Sequence, residues 1–166
     1  MSDPSISHQR RAKSGYNGPG KMGEGMNANG YAGDVVPSEA WKILESNEDA
    51  ALVDVRTAAE WTFVGVPDLT DLGKQLVTIE WQTFPSMEVN PNFTTQLAEA
   101  GVAKDAPVLF MCRSGQRSRA AAIAATQAGF ATCYNIEEGF EGAIDDQRHR
   151  GNVGGWKVAG LPWAQR

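Results

Sequence analysis

Cysteine and histidine are scarce in this chain, with two of each among 166 residues. That is too few for a disulfide scaffold or a Cys/His zinc site, so no metal is expected. Long apolar runs are missing as well. None approaches the ~18 residues needed to cross a bilayer, and Met1 to Arg11 lacks the apolar stretch of a secretory signal. The expectation is therefore a cytoplasmic protein with no membrane partner. Positive charge is in deficit: 15 Lys and Arg face 20 Asp and Glu, a formal net charge of −5. On that balance nucleic acid is not an expected partner. What the chain does have is 42% hydrophobic against 21% charged residues, enough for a packed core and unlike a disordered composition. Its length is that of one domain. No feature of the sequence specifies an oligomeric state.

Residues 1–33 differ from the rest. Seven of them are Gly, and Ile6, Tyr16, Met22, Met26 and Tyr31 show neither helical nor alternating spacing. Arg10, Arg11, Lys13 and Lys21 against Asp3 and Glu24 leave this segment at +2 and residues 34–166 at −7. So little apolar surface cannot offset the entropy of ordering, and a flexible Gly-rich tail is expected over 1–33. The folded domain is expected over 34–166.

From Asp34 onward short apolar runs alternate with amphipathic ones. Val35-Val36 leads into Pro37, suited to a first helical turn, with Ala40, Trp41, Ile43 and Leu44 at helical spacing. Ala51 to Arg56 reads as a buried strand, followed by the capping-box pattern Thr57-Ala-Ala-Glu60. Leu76 to Trp81 is a further strand candidate, and Phe93 to Ala100 a helix closed by Gly101. Val108 to Cys112 has the continuous apolar character of a central strand. Ser118 to Gly129 reads as an Ala-rich helix, Ala131 to Ile136 as the last strand, and a short helix is expected near Gly139. This alternation implies an α/β domain with a mainly parallel sheet.

In open α/β sheets ligands gather beyond the carboxyl ends of the strands. Cys112 ends the most apolar strand and is followed by Arg113, Ser114, Gly115, Gln116, Arg117 and Ser118 at the start of a helix. Backbone N–H groups there would converge into an anion cradle, with Gly115 permitting the tight turn. Arg113, Arg117 and Arg119 add three cations. All of this favours thiolate over thiol at Cys112. A sequence built for stability alone would place acids, not arginines, at a helix N-terminus. The arrangement therefore points to function rather than to a merely buried cysteine.

The loop Cys112-Arg-Ser-Gly-Gln-Arg117-Ser118 resembles the active-site loop of rhodanese-domain sulfurtransferases. The resemblance extends over most of 34–166. It takes in Val53-Asp54-Val55-Arg56 with Glu60-Trp61 downstream, Asn135-Ile-Glu-Glu-Gly139-Phe140, and the closing Gly155-Trp156 and Gly160-Leu161-Pro162-Trp163. One segment departs: where the family carries Gly-His-Ile-Pro-Gly-Ala, this chain has Gly65-Val66-Pro67-Asp68, without the histidine. The resemblance implies a rhodanese-like fold, with a sheet of about five strands flanked by helices on both faces. It also implies sulfur transfer through a Cys112 persulfide, from an anionic donor such as thiosulfate to cyanide or a thiol, a protein thiol included. No dissociable cofactor is implied, because the sulfur is carried covalently.

Two other readings stand beside it. Cysteine phosphatases and arsenate reductases have a similar loop with one residue more between Cys and Arg than the four that separate Cys112 from Arg117. Rhodanese-like domains also serve as non-catalytic binding modules, but inactive versions typically lack the cysteine. Asp54, at a strand end on the same edge, is expected to support the loop by accepting from its backbone N–H groups. Arg56 and Glu60 suit a local ion pair or the capping box. Trp61, Trp81, Trp156 and Trp163 are read as core, with pocket rim the alternative; Trp156 and Phe140, in Gly-flanked loops, are the two best placed to reach the pocket. Cys133 reads as a small buried hydrophobe, with a resolving role beside Cys112 the lesser alternative. His8 and His149 have no second histidine near them and are assigned no role.

Overall fold

The computed structural model describes residues 28–165, so 1–27 of the tail expected over 1–33 lie outside the described residues. The first half carries β1 (Gly33–Val35), α1 (Pro37–Ser46), β2 (Ala51–Asp54), α2 (Ala58–Phe63), β3 (Val66–Pro67), a 3-10 turn (Thr70–Leu72) and β4 (Val77–Thr78). There follow β5 (Gln82–Thr83), β6 (Glu88–Val89), α3 (Phe93–Glu99), β7 (Pro107–Met111), α4 (Gln116–Gln127), β8 (Thr132–Ile136) and β9 (Trp163–Ala164).

Five strands form one sheet in the order β1-β8-β7-β2-β4, every neighbouring pair parallel. β7 and β8 are buried along their whole length; β7 is accordingly continuously apolar rather than alternating, whereas β8 also buries the polar Thr132 and Asn135. The pleat still sorts their side chains. Val53, Val108, Phe110 and Cys133 face Phe93 and Leu97 of α3 and the small Ala121, Ala122 and Ala125 of α4. Leu52, Leu109, Met111, Tyr134 and Ile136 face Ala40, Ile43 and Leu44 of α1. Helices therefore cover both faces, as the sequence implies, and the loops beyond the strand carboxyl ends are left to build a site.

Three local expectations differ from the structure, and a further feature was not read. The fold begins before Asp34: Tyr31 and Ala32 are buried, and Ala32 N–H bonds the Cys133 carbonyl at 2.9 Å. Flanking glycines hide that anchor, because one aromatic residue gives no period. In the segment 76–81 only Val77 and Thr78 pair as a strand, at the sheet edge. No helix forms near Gly139, where Glu138 and Gly139 take left-handed φ of 75° and 58° and make a turn instead. Two small antiparallel pairs, β3 with β9 and β5 with β6, were not legible at all. Among the described residues no helix is long and apolar enough to cross a membrane.

Candidate functional site

Cys112 follows directly on β7, so the sheet delivers its side chain to the N-terminus of α4. Its Sγ lies 3.1 Å from the Gly115 N–H nitrogen and 3.2 Å from the Ser118 hydroxyl oxygen. Gly115, at φ 111°, is the N-cap of α4, and only that left-handed turn brings its N–H back onto the sulfur. The first turn of α4 contains no acid to compete for the positive end of the helix. Cys112 is 1% exposed yet opens on a cleft of about 430 Å³. Arg113, Ser114, Gln116 and Arg117 line one side of it; Thr57, Ala59 and Glu60 of the α2 start line another. Phe84 and Met87, from the β5–β6 hairpin, complete the rim.

The carbonyls of Cys112 and Arg113 are held from behind by the turn after β8. Phe140 N–H donates to Cys112 O at 2.9 Å and Glu141 N–H to Arg113 O at 3.0 Å. Gly139 lies so close that a Cβ there would meet Cys112 O and come within 2.6 Å of Arg113 O. With its carbonyls pinned outward, the loop is left to present N–H groups inward.

A side-chain network reaches the sulfur from β8. Ser118 Oγ lies 2.6 Å from Asn135 Oδ1, while the Asn135 amide donates to Asp34 Oδ1 at 2.9 Å. Tyr31 hydroxyl donates to the same carboxylate oxygen at 2.8 Å. Burial, and then the bond to Asp34, push the Tyr31 phenol up to about 12, so it stays a neutral donor. Asp34 thus fixes which way the Asn135 amide points. One hydroxyl proton then has two acceptors: Ser118 can donate to Asn135 or to an anionic Cys112 sulfur, and not to both.

Arg117 is a partner of Glu60. Its Nη1 and Nη2 lie 2.8 and 3.0 Å from the two carboxylate oxygens. Glu60 also completes the capping box, accepting from Thr57 N–H at 3.0 Å and from the Thr57 hydroxyl at 3.1 Å. Burial acts to raise the Glu60 carboxyl, but these bonds and the Arg117 charge outweigh it and hold it at about 2. Arg113 is exposed at the cleft, and among the described residues no ion pair neutralises it.

Asp54 does not support the loop as expected. Its carboxylate is consumed by Arg56, two residues on, through Nε at 2.9 Å, Nη2 at 2.8 Å and the backbone N–H at 3.2 Å. The pair is fully buried, with Arg56 stacked 4.3 Å above the Phe140 ring and bonded to Gly65 O. Phe140 does not line the cleft either, and Trp156 lies in the core as read. Both are wholly buried, and Trp156 N–H donates to Gly139 O at 2.9 Å, bracing the turn behind the loop. The cleft's exposed apolar residues are instead Phe84 and Met87; Pro85-Ser86 between them was the available turn signal. Trp163, read as core, is 37% exposed. Cys133 pairs in register with Val108, four residues before Cys112, about 13 Å back along the sheet. Burial pushes its thiol up to about 12. A resolving role for Cys133 therefore has neither proximity nor a thiolate. His149 sits in an exposed turn, and His8 lies outside the described residues.

A parallel sheet that feeds a cysteine into a backbone cradle at a helix N-terminus defines a class of α/β domain suited to holding an anionic sulfur or oxyanion. The family model described as STR4 middle domain matches residues 33–166, and the chain belongs to that family of rhodanese-like domains. An uncharacterized protein of Rickettsia rickettsii, the RP600 homolog, is 39% identical over 130 residues, which span 78% of this chain and 95% of that one. A sulfurtransferase of Allochromatium vinosum is 29% identical over 119 residues, 72% of this chain and 82% of its own. The crystal structure of Rv0390 from M. tuberculosis superposes with a TM-score of 0.76 at 49% identity, over 82% of this chain and 99% of that one.

Proposed function

We propose that the chain is a rhodanese-type sulfurtransferase that carries sulfane sulfur as a persulfide on Cys112. The observation that carries this reading is the seat of Cys112 Sγ, between the Gly115 N–H and the Ser118 hydroxyl at the start of α4. Those donors stabilise negative charge on sulfur and are already in place before reaction. The Cys112 thiolate attacks the outer sulfur of a donor such as thiosulfate. An S–S bond forms to Sγ, the donor's own S–S bond breaks, and sulfite leaves with the electron pair. Cyanide or a thiolate then attacks the outer sulfur of the persulfide, and the pair returns to Cys112. Arg113 meets the anionic end of the donor at the cleft mouth. Ser114, Gly115 and Gln116 supply the loop backbone, while Arg117, through Glu60, ties that loop to α2.

The test is the intact mass after incubation with thiosulfate, before and after cyanide or dithiothreitol. A gain of one sulfur, about 32 Da, that the acceptor removes and Cys112→Ala abolishes is the expected result. A gain that survives in Cys112→Ala overturns the assignment. No gain with thiosulfate, mercaptopyruvate or a protein persulfide leaves a binding module, and hydrolysis of an aryl phosphate by Cys112 would favour the phosphatase reading.

A further inference from the structure

Among the described residues three charged side chains line the cleft beside Cys112: Glu60, Arg113 and Arg117. Two of the three cancel. Glu60 meets both terminal nitrogens of Arg117, at 2.8 and 3.0 Å, and leaves Arg113 as the uncompensated cation among them. From this geometry we infer that Glu60 is a specificity-determining residue, which screens Arg117 and biases the cleft against dianionic sulfur donors in favour of donors with at most one negative charge and an apolar body. This inference rests on the sulfur-transfer reading above and refines its donor class.

Glu60 cannot simply swing aside when an anion arrives. The oxygen that meets Arg117 Nη1 also accepts from Thr57 N–H at 3.0 Å and the Thr57 hydroxyl at 3.1 Å, so releasing Arg117 would open the capping box of α2. A dianion beside a Cys112 thiolate therefore meets one free cation and one fixed carboxylate. Coulomb energy scales with the product of charges, so that carboxylate opposes a dianion twice as strongly as a monoanion in the same place. The rest of the rim suits an organic group: Ala59 lines the cleft beside Phe84, 64% exposed, and Met87, 38% exposed. An inorganic oxyanion gains nothing from that surface.

Glu60→Gln removes the charge and keeps an amide oxygen for the Thr57 N–H. Steady-state transfer is measured with thiosulfate and with the persulfide of 2-mercaptoethanol. The variant is expected to lower KM for thiosulfate by roughly fivefold and to change KM for the persulfide by about twofold or less, any change in kcat from a loosened loop being common to both donors. Equal shifts for the two donors overturn the inference. Calorimetric titration of full-length Cys112→Ser with thiosulfate, with and without Glu60→Gln, reads the same screening without any sulfur transfer. Tighter binding that is lost again on adding Arg117→Gln is expected; unchanged affinity overturns the role of Glu60. If neither donor loads Cys112, the sulfur-transfer reading falls and the titration still decides what Glu60 does. Should Glu60→Gln fold poorly, Cys112→Ser alone is titrated with sulfate and methanesulfonate. Affinities within about threefold support the screening, and a dianion preference of about tenfold or more overturns it.

Discussion

Both cysteines of the described chain are buried on the same side of adjacent strands, in one apolar cluster, yet their surroundings have opposite consequences. Cys133 lies within β8, and its thiol faces the Phe130 carbonyl at 3.6 Å, an acceptor that suits S–H and repels a thiolate. Burial there pushes the thiol up to about 12. Cys112 lies one step past the end of β7, where the ladder stops and the Gly115 N–H turns onto the sulfur. Strand position alone separates a packing residue from a candidate nucleophile. Burial is common to both; the sign of the nearest dipole is not.

The sharpest way to break that contrast is to exchange the roles. Cys112→Ala is expected to reduce sulfur loading to background, whereas Cys133→Ala keeps it and costs about 1 kcal/mol of stability through lost packing. Persulfide mass and a denaturant melt measure both. Alkylation by iodoacetamide at neutral pH should mark Cys112 in the folded protein and Cys133 only after unfolding. Next in size is Gly139→Ala, which keeps both cysteines in the sequence. The new methyl would strike backbone of Cys112 and Arg113 that cannot yield without moving the sulfur. A loss of about 100-fold in loading rate is expected, because ångström-scale misplacement of a reacting group has that consequence.

How much of this was legible in the sequence follows from the range of the interactions. The alternation of elements, the capping box at Thr57 and the strand that leads into Cys112 are local patterns, and they appear in the fold. Arginines at a helix start, against the macrodipole, marked the loop. Asn135 was not legible as a neighbour of Ser118, because it depends on β8 lying beside β7 in one register. Tyr31 joins the same network from a glycine-rich stretch with no period to mark it. Asp54 misled for the opposite reason. A partner two residues away captured the carboxylate before anything distant could, and chain connectivity makes such a bond cheap in entropy.

The Ser118 hydroxyl offers a smaller and more discriminating test, because its two acceptors predict opposite signs. Ser118→Ala removes a donor from anionic sulfur and should slow alkylation and loading of Cys112 by about tenfold. Asn135→Leu removes the competing acceptor and frees the hydroxyl to serve the sulfur alone, so the same rates should rise a few-fold. If both variants slow the reaction equally, Asn135 acts by packing and not through the shared proton. Alkylation rates followed across neutral pH separate these outcomes.

The smallest effect lies in the charge that ties the loop to α2. The Glu60 carboxyl is held at about 2 against an ordinary 4.5, so its folded form binds its proton less readily than its unfolded form. Such a group stabilises the fold above the unfolded value, and the contribution is lost as pH falls from about 4.5 towards 2. With part of the pair open to solvent, about 1 kcal/mol is a reasonable scale. Thermal melts should show Glu60→Gln less stable than the parent at pH 7, with the two converging near the acid end of that window. The loss belongs to the Cys112 end of the sheet alone, since Cys133 has no ionic partner there to titrate. Acid should therefore raise amide hydrogen exchange in the Cys112 loop before it raises exchange around Cys133 in β8. A simultaneous rise would mean that the Glu60–Arg117 pair holds the whole fold rather than the loop.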